Sequence, residues 1–94
     1  MIIDFIQIQK HKFDELVNKI VAAPEIYLNF DSVSDFYKSK WLHEFPQGTT
    51  WVVSGLDDGA EQFCIHIEYK DHFLFIDVQD PIQMRYGIRQ SSNP

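Results

Sequence analysis

Acidic side chains crowd residues 57–80, and this crowding is the feature of the sequence that points most directly to a chemical role. The stretch DDGAEQFCIHIEYKDHFLFIDVQD holds seven acidic residues and one lysine, and the rest of the chain carries seven residues of each sign. The stretch therefore accounts for the whole net charge of −6. Its acidic residues are Asp57, Asp58, Glu61, Glu68, Asp71, Asp77 and Asp80.

Such a density of carboxylates favours a basic protein partner, because opposite charge steers association. It disfavours nucleic acid as a ligand, since phosphate is bound by basic surfaces. The alternative interpretation is that these are solvated side chains that keep a small protein in solution.

Three side chains of the same stretch could support catalysis. Cys64 and His66 lie two residues apart, but alternate residues of a strand are separated by about 6.5–7 Å, too far for the hydrogen bond that activates a thiol. His66 opposite Asp77 could orient a general base, yet no nucleophile or glycine-rich phosphate loop accompanies the pair. We therefore interpret that pair as structural and expect no enzyme. We also expect no metal and no cofactor, because no metal-ligand spacing relates Cys64 to the other histidines, which are His11, His43 and His72.

Two segments of alternating polarity position these residues. EQFCIHIEYK and FLFIDVQD place apolar side chains at every second position, which predicts two strands that each bury one face. The apolar positions are Phe63, Ile65, Ile67, Tyr69, Leu74, Ile76 and Val78. A loop of two residues at 71–72, or of four residues around them, then forms a hairpin. It pairs Lys70 with Phe73, Glu68 with Phe75, His66 with Asp77, and Cys64 with Gln79.

The face opposite the apolar one is a candidate binding surface. Phe73 and Phe75 point outward there beside Glu68 and Asp77, and aromatic rings bordered by polar groups are typical of interface centres. We therefore predict that partner binding involves the seven acidic residues of the stretch together with His66, Phe73 and Phe75. Alternatively, a terminal segment or a second copy of the chain covers this face.

The pattern of apolar residues in the first half of the chain predicts helices. Apolar residues at Phe13, Leu16, Val17, Ile20 and Val21 predict one helix that Pro24 ends. Ser32 and Asp35 have capping-box spacing, and they predict a second helix that buries Val33, Phe36, Tyr37 and Trp41 and ends before Pro46. Residues 1–8 suggest a short buried strand or the lead-in to a helix, and their length favours the strand. Residues 25–30 suggest an edge strand or an extended connector. TTWVVSG predicts a third strand, before the hairpin.

The predicted fold class is α+β, with an antiparallel β-meander of three or more strands packed against two α-helices. With 94 residues the chain should form one domain, residues 1–94, with a frayed tail at 90–94. No apolar run approaches the ~18–20 residues of a membrane span, and no signal peptide is evident. The single cysteine cannot form an internal disulfide, which suits a reducing compartment, so we expect a cytoplasmic protein.

The second half of the sequence resembles the immunity proteins of bacterial contact-dependent growth inhibition systems. The resemblance covers about residues 32–82 and depends on the order SVSDFYKSKWLHEF, TTWVVSG, EQFCIHIEY and HFLFIDVQD. Its specific positions are Tyr37, Lys38, Trp41, Ser54 and the hairpin. It implies a protein without catalytic activity that binds and blocks one toxin domain, commonly a nuclease.

Charge and resemblance together predict an immunity protein that occludes the active site of a basic toxin domain with an acidic surface. One alternative is a phage-type inhibitor that mimics DNA against a nuclease or a CRISPR effector, because the same acidity would serve it. Another is a small enzyme or a structural subunit. The oligomeric state stays open at this point.

Overall fold

Helices occupy the first half of the chain and strands the second, which confirms the α+β class. The structure is a computed structural model that describes residues 4–28, 33–54, 63–78 and 81–89. Two compact units divide the chain, residues 1–47 and residues 48–94. Within the described residues, no helix is both long enough and apolar enough to cross a membrane.

The first helix, α1, spans Phe5–Ala22 and begins earlier than predicted. For residues 5–8 the favoured strand is wrong and the alternative, the lead-in to a helix, is confirmed, because Asp4 caps the helix there. Its side chain accepts a hydrogen bond from the Ile6 amide (N···O 2.9 Å). The predicted apolar stripe is confirmed, since Phe13, Leu16, Val17 and Ile20 are buried. The helix also ends before Pro24, as predicted.

A short second helix, α2, spans Pro24–Tyr27, so the strand or extended connector expected over residues 25–30 is wrong for residues 25–27. Pro24 stands in the first turn of α2, where its restricted φ suits a helix and its missing N–H costs no hydrogen bond. The alternation that suggested a strand instead leaves Ile26 exposed and buries Leu28. Residues 29 and 30 lie outside the described part of the chain.

The segment predicted as one second helix forms two, α3 (Val33–Tyr37) and a 3-10 helix (Lys40–Glu44). Between them Ser39 has an extended ψ of 125°. In a continuous helix each residue turns by about 100°, so Trp41 and Leu42 would point about 140° and 240° around the axis from Phe36 and could not share its face. The break therefore lets Phe36 be buried together with Trp41 and Leu42. The proposed cap at Ser32 lies outside the described residues.

Trp41 joins the 3-10 helix to α2. Its indole Nε1 donates a hydrogen bond to the Tyr27 carbonyl oxygen (N···O 2.9 Å), and its ring meets the Phe36 ring at 6.0 Å between centroids. The prediction that Trp41 is a core residue is confirmed, because it is 8% exposed. The same prediction for Tyr37 is wrong, because that side chain is 50% exposed at the end of α3.

Within the described part of the chain, four strands form one antiparallel sheet in the order β1-β2-β3-β4. They are β1 (Thr50–Ser54), β2 (Phe63–Tyr69), β3 (His72–Val78) and β4 (Gln83–Ile88). The first three confirm the predicted meander. The fourth was not predicted as a strand, although its apolar residues Met84, Tyr86 and Ile88 alternate with the others. One face of β2 and β3 is buried, as predicted, through Phe63, Ile65, Ile67, Tyr69, His72, Leu74 and Ile76.

The predicted register of the hairpin is wrong by two residues. Tyr69 pairs with His72 across a two-residue turn at Lys70 and Asp71, instead of Lys70 pairing with Phe73. His66 consequently lies opposite Phe75, and not opposite Asp77. A shift of two residues keeps every side chain on its predicted face, because the side-chain period of a strand is two. The faces are therefore confirmed and only the cross-strand partners change.

Candidate functional site

The outer face of the sheet is the face opposite the buried one. Register places on it Cys64, His66 and Glu68 of β2 and Phe73, Phe75 and Asp77 of β3. It extends onto β1 through Thr50, Val52 and Ser54, and onto β4 through Gln83, Arg85 and Gly87. The outer face thus brings together five of the ten predicted site residues, which are His66, Glu68, Phe73, Phe75 and Asp77.

Three rings form an aromatic cluster at the centre of the outer face, namely His66, Phe73 and Phe75. The His66 ring stacks on Phe75 with centroids 4.4 Å apart and planes 25° apart. Phe73 and Phe75, alternate residues of β3, are 4.6 Å apart between centroids. His66 is exposed and both phenylalanines are half-buried, so the cluster presents ring surface to solvent while its members hold one another in place.

Two arginines extend over the aromatic cluster from β4 and the residue after it. The Arg85 guanidinium lies 5.8 Å from the centroid of Phe75, and that of Arg89 lies 5.7 Å from it. Arg89 also donates a hydrogen bond to Glu68 and forms an ion pair with it. Both cations gain from the negative face of the ring, and the ion pair holds Glu68 beside the cluster.

Cys64 and Asp77 form a separate pair near one end of the outer face. The Cys64 Sγ donates a hydrogen bond to Asp77 Oδ1 (S···O 3.1 Å). This hydrogen bond raises the pKa of the Cys64 thiol above its usual range, with smaller contributions from desolvation and from the negative charge of Asp77. The thiol therefore stays protonated at neutral pH, which makes it a poor nucleophile and a poor metal ligand.

The outer face is balanced in charge and not acidic. Among the described residues it carries two carboxylates, Glu68 and Asp77, and two guanidinium groups, Arg85 and Arg89. The acidic character predicted from residues 57–80 did not include the basic residues that lie beside them on β4 and just after it. The centre of the outer face therefore consists of aromatic rings and oppositely charged side chains.

Of the other five acidic residues, the structure describes Asp71 alone. Asp71 belongs to the turn between β2 and β3, where its carbonyl oxygen accepts a hydrogen bond from the Arg89 amide (N···O 2.6 Å). Asp57, Asp58, Glu61 and Asp80 lie outside the described residues. In sequence, Asp57, Asp58 and Glu61 follow Ser54, and Asp80 follows Val78.

The residues that sequence reasoning missed could have been found from β4. QMRYGI has the alternation that identified the other strands, and a strand there would have placed Arg85 on the same face as the carboxylates. Val52 also belongs to the outer face, because it lies opposite His66 in the register of β1 with β2, and it is 60% exposed. The alternation of β1 could have identified it.

The arrangement is suited to binding by contact. Stacked rings, guanidinium groups and an exposed aliphatic side chain give a surface that a partner can desolvate. Within residues 4–28, 33–54, 63–78 and 81–89, no group of three histidine, cysteine or acidic side chains is arranged to hold a metal ion. No protein-family model matches the chain, and neither curated proteins nor solved structures show significant similarity to it.

Proposed function

We propose that this protein acts by binding another protein, and that it is an immunity protein that neutralises a basic toxin domain in the cytoplasm. The observation that carries the proposal is the aromatic cluster of the outer face, with Arg85 and Arg89 over it. Aromatic residues and arginine are enriched at the centres of protein interfaces. Rings bury large areas at a small cost in side-chain entropy, and a guanidinium group stacks on rings and donates several hydrogen bonds.

The charge distribution supports a basic partner. The net charge of −6 comes from residues 57–80, whereas the centre of the outer face is balanced. In this proposal the rings supply the desolvated contact, and the excess of acidic residues steers a basic partner toward the protein.

A nuclease is the toxin class that fits best. Nucleases bind phosphate with basic clefts, so carboxylates can occupy the place of the nucleic acid and block substrate entry. The resemblance of residues 32–82 to immunity proteins supports the same class.

The test begins with capture from cells that produce the protein. Immobilised wild type, Phe75→Ala and Phe5→Ala would be compared, because Phe5 is an exposed phenylalanine on α1 and serves as the matched control. We expect a basic protein that wild type and Phe5→Ala retain and Phe75→Ala loses. That protein would then be expressed alone and together with the chain.

Co-expression should restore growth and abolish nuclease activity. The association rate of the purified pair should also fall at least about tenfold between about 0.05 and 0.5 M salt, because salt screens electrostatic steering. A partner that is neither toxic nor inhibited would overturn the immunity function. Binding of a single-stranded oligonucleotide to the outer face, lost in Phe75→Ala, would replace the proposal with nucleic-acid binding.

A further inference from the structure

Among the described residues β4 is an edge strand, and its open edge has the properties of a self-association site. We propose that a second copy of this chain pairs with β4 through an antiparallel strand contact whose twofold axis passes beside Tyr86. The contact would join two four-stranded sheets into one sheet of eight strands. The proposal does not depend on the proposed function.

Lysine, proline and bulges are among the features that protect edge strands, and the described residues of β4 have none of them. Gln83–Ile88 contains neither lysine nor proline, and its pairing with β3 runs without interruption. The one charged residue of β4, Arg85, lies over the Phe75 ring. Tyr86 and Ile88 are 51% and 59% exposed, although their cross-strand neighbours Leu74 and His72 on the same face are buried. On β1, the other edge, only Val52 among the large apolar side chains is comparably exposed.

The backbone of β4 has its free hydrogen-bonding groups at residues with apolar side chains. The Arg89 amide donates to the Asp71 carbonyl, so the groups of residue 89 point toward β3. Residues whose backbone groups face the neighbour alternate along an antiparallel strand with residues whose groups face away. Gln83, Arg85 and Gly87 therefore bond to β3, and the groups of Met84, Tyr86 and Ile88 point to the open edge.

One register of two β4 strands satisfies both backbone and side chains. Centred on Tyr86, it pairs Tyr86 with Tyr86 of the second copy and Met84 with Ile88 of the second copy. All three outward-pointing residues then form hydrogen-bonded pairs, with about six backbone hydrogen bonds in total. The exposed apolar side chains meet one another on one face, which removes them from water.

The other face agrees with the same register. Arg85 lies opposite Gly87 of the second copy, which has φ 156° and no side chain to collide with the guanidinium group. Gln83 lies opposite Arg89 of the second copy. Moving the register by two residues in one direction sets Arg85 against Arg85 of the second copy, and in the other direction sets Arg85 against Arg89. Like charges directly opposite destabilise strand pairing, so both shifts are unfavourable.

Wild-type protein tests the proposal by mass and amide exchange. Sedimentation from about 1 µM to about 1 mM should show a concentration-dependent species of twice the 11.1 kDa mass. Hydrogen exchange followed by NMR should show amides of Met84, Tyr86 and Ile88 that exchange quickly in dilute solution and become protected as the dimer forms. The amides of Arg85 and Gly87 should be protected throughout. A monomer across the whole range, or a dimer without new protection at those three amides, would overturn the proposal.

Variants test the register. Tyr86→Lys places two ammonium groups opposite each other and should weaken the dimer at least about tenfold. Val52→Lys, at a comparably exposed position on β1, is the matched control and should leave the dimer unchanged. Dissociation by Val52→Lys instead would move the contact to β1 and overturn the proposal. If circular dichroism shows that Tyr86→Lys does not fold, the proposal is tested by amide exchange in the wild type and by the Ile88→Lys and Met84→Glu variants.

A charge pair makes the final test. Ile88→Lys should weaken the dimer, and adding Met84→Glu should restore it, because the new carboxylate would face the new ammonium group of the second copy at both symmetric positions. Within one chain the two positions lie about 13 Å apart along the strand, so they cannot pair there. Failure of the double variant to recover the dimer would overturn the Tyr86-centred register and the proposal with it.

Discussion

The two faces of the β2–β3 hairpin share the same strands but are held together in different ways. On the buried face, Ile65 lies opposite Ile76 and Ile67 opposite Leu74, and all four side chains are fully buried. On the outer face, His66 stacks on Phe75. The buried face depends on filled volume, and the outer face depends on particular contacts. Substitutions on the buried face should therefore reduce stability, and those on the outer face should change binding and reactivity more than stability.

The largest effect is expected from Ile67→Ala. Removal of a fully buried side chain leaves a cavity, which should lower the free energy of unfolding by about 2–4 kcal/mol. Urea denaturation measures it, with Val52→Ala as the exposed control, expected to change stability by less than about 0.5 kcal/mol. Equal losses in the two variants would show that the face containing Ile67 is not the core.

A smaller loss of stability, about 1–2 kcal/mol, is expected from Phe75→Ala, because the ring is half-buried and contacts His66 and Phe73. The same variant should lose the partner that wild type captures. If Phe75→Ala costs as much stability as Ile67→Ala, the two faces do not differ in the way described.

Replacement of Asp77 by Asn should act on Cys64 more than on the fold. Because the Asp77 carboxylate raises the pKa of the thiol, its neutralisation should lower that pKa toward the usual value. The rate of Cys64 alkylation at pH 8, followed by mass spectrometry, should increase. Unchanged alkylation across pH 7–10 would contradict the Cys64–Asp77 contact.

The sign of the accompanying pH effect follows from linkage. The folded state holds the thiol proton more tightly than the unfolded state does, so this contribution to stability is complete at neutral pH. It is lost as the pH rises from the usual thiol range through the raised pKa. In wild type the loss of stability at high pH should therefore be slightly steeper than in Asp77→Asn, with the loss of one hydrogen bond setting a scale of about 0.5–1.5 kcal/mol.

The smallest effect is expected from Glu68→Gln. The ion pair between Glu68 and Arg89 is partly exposed, and pairs of this kind contribute about 0.2–1 kcal/mol. The difference in free energy of unfolding from wild type, measured by urea denaturation, should decrease in 1 M salt. The matched variant Glu15→Gln, at an exposed position on α1, should change the free energy of unfolding by less. A difference that persists at high salt would mean that Glu68 acts through packing.

The sequence was sufficient to predict the faces of the hairpin but not its register. Alternation determines which face Ile65, Ile67 and Ile76 occupy, because one residue of slip would expose them all. A slip of two residues preserves that pattern, and no Asn-Gly or Asp-Gly marks the turn. The Cys64–Asp77 hydrogen bond depends on the register, so the sequence could not predict it.

The helical half was harder to predict, because its boundaries depend on contacts distant in sequence. Trp41 reaches the Tyr27 carbonyl oxygen across fourteen positions. The break at Ser39 leaves no strong mark in the sequence, since neither proline nor glycine occurs between Val33 and Phe45. At the candidate site, the aromatic rings and carboxylates could be predicted from the alternation of β2 and β3. The balance of charge could not, because it depends on Arg85 and Arg89, and β4 was not recognised as a strand.

The conformation of Lys70 has a consequence for the order of folding. Lys70 has φ 56°, the left-handed region, which costs a residue other than glycine roughly 1–2 kcal/mol. The turn thus opposes its own closure, and the pairing of Ile67 with Leu74 beside it must compensate. We expect strand contact to precede turn closure in this hairpin. Lys70→Gly would then slow unfolding more than it speeds folding, because strain that appears only after the transition state acts on the unfolding rate.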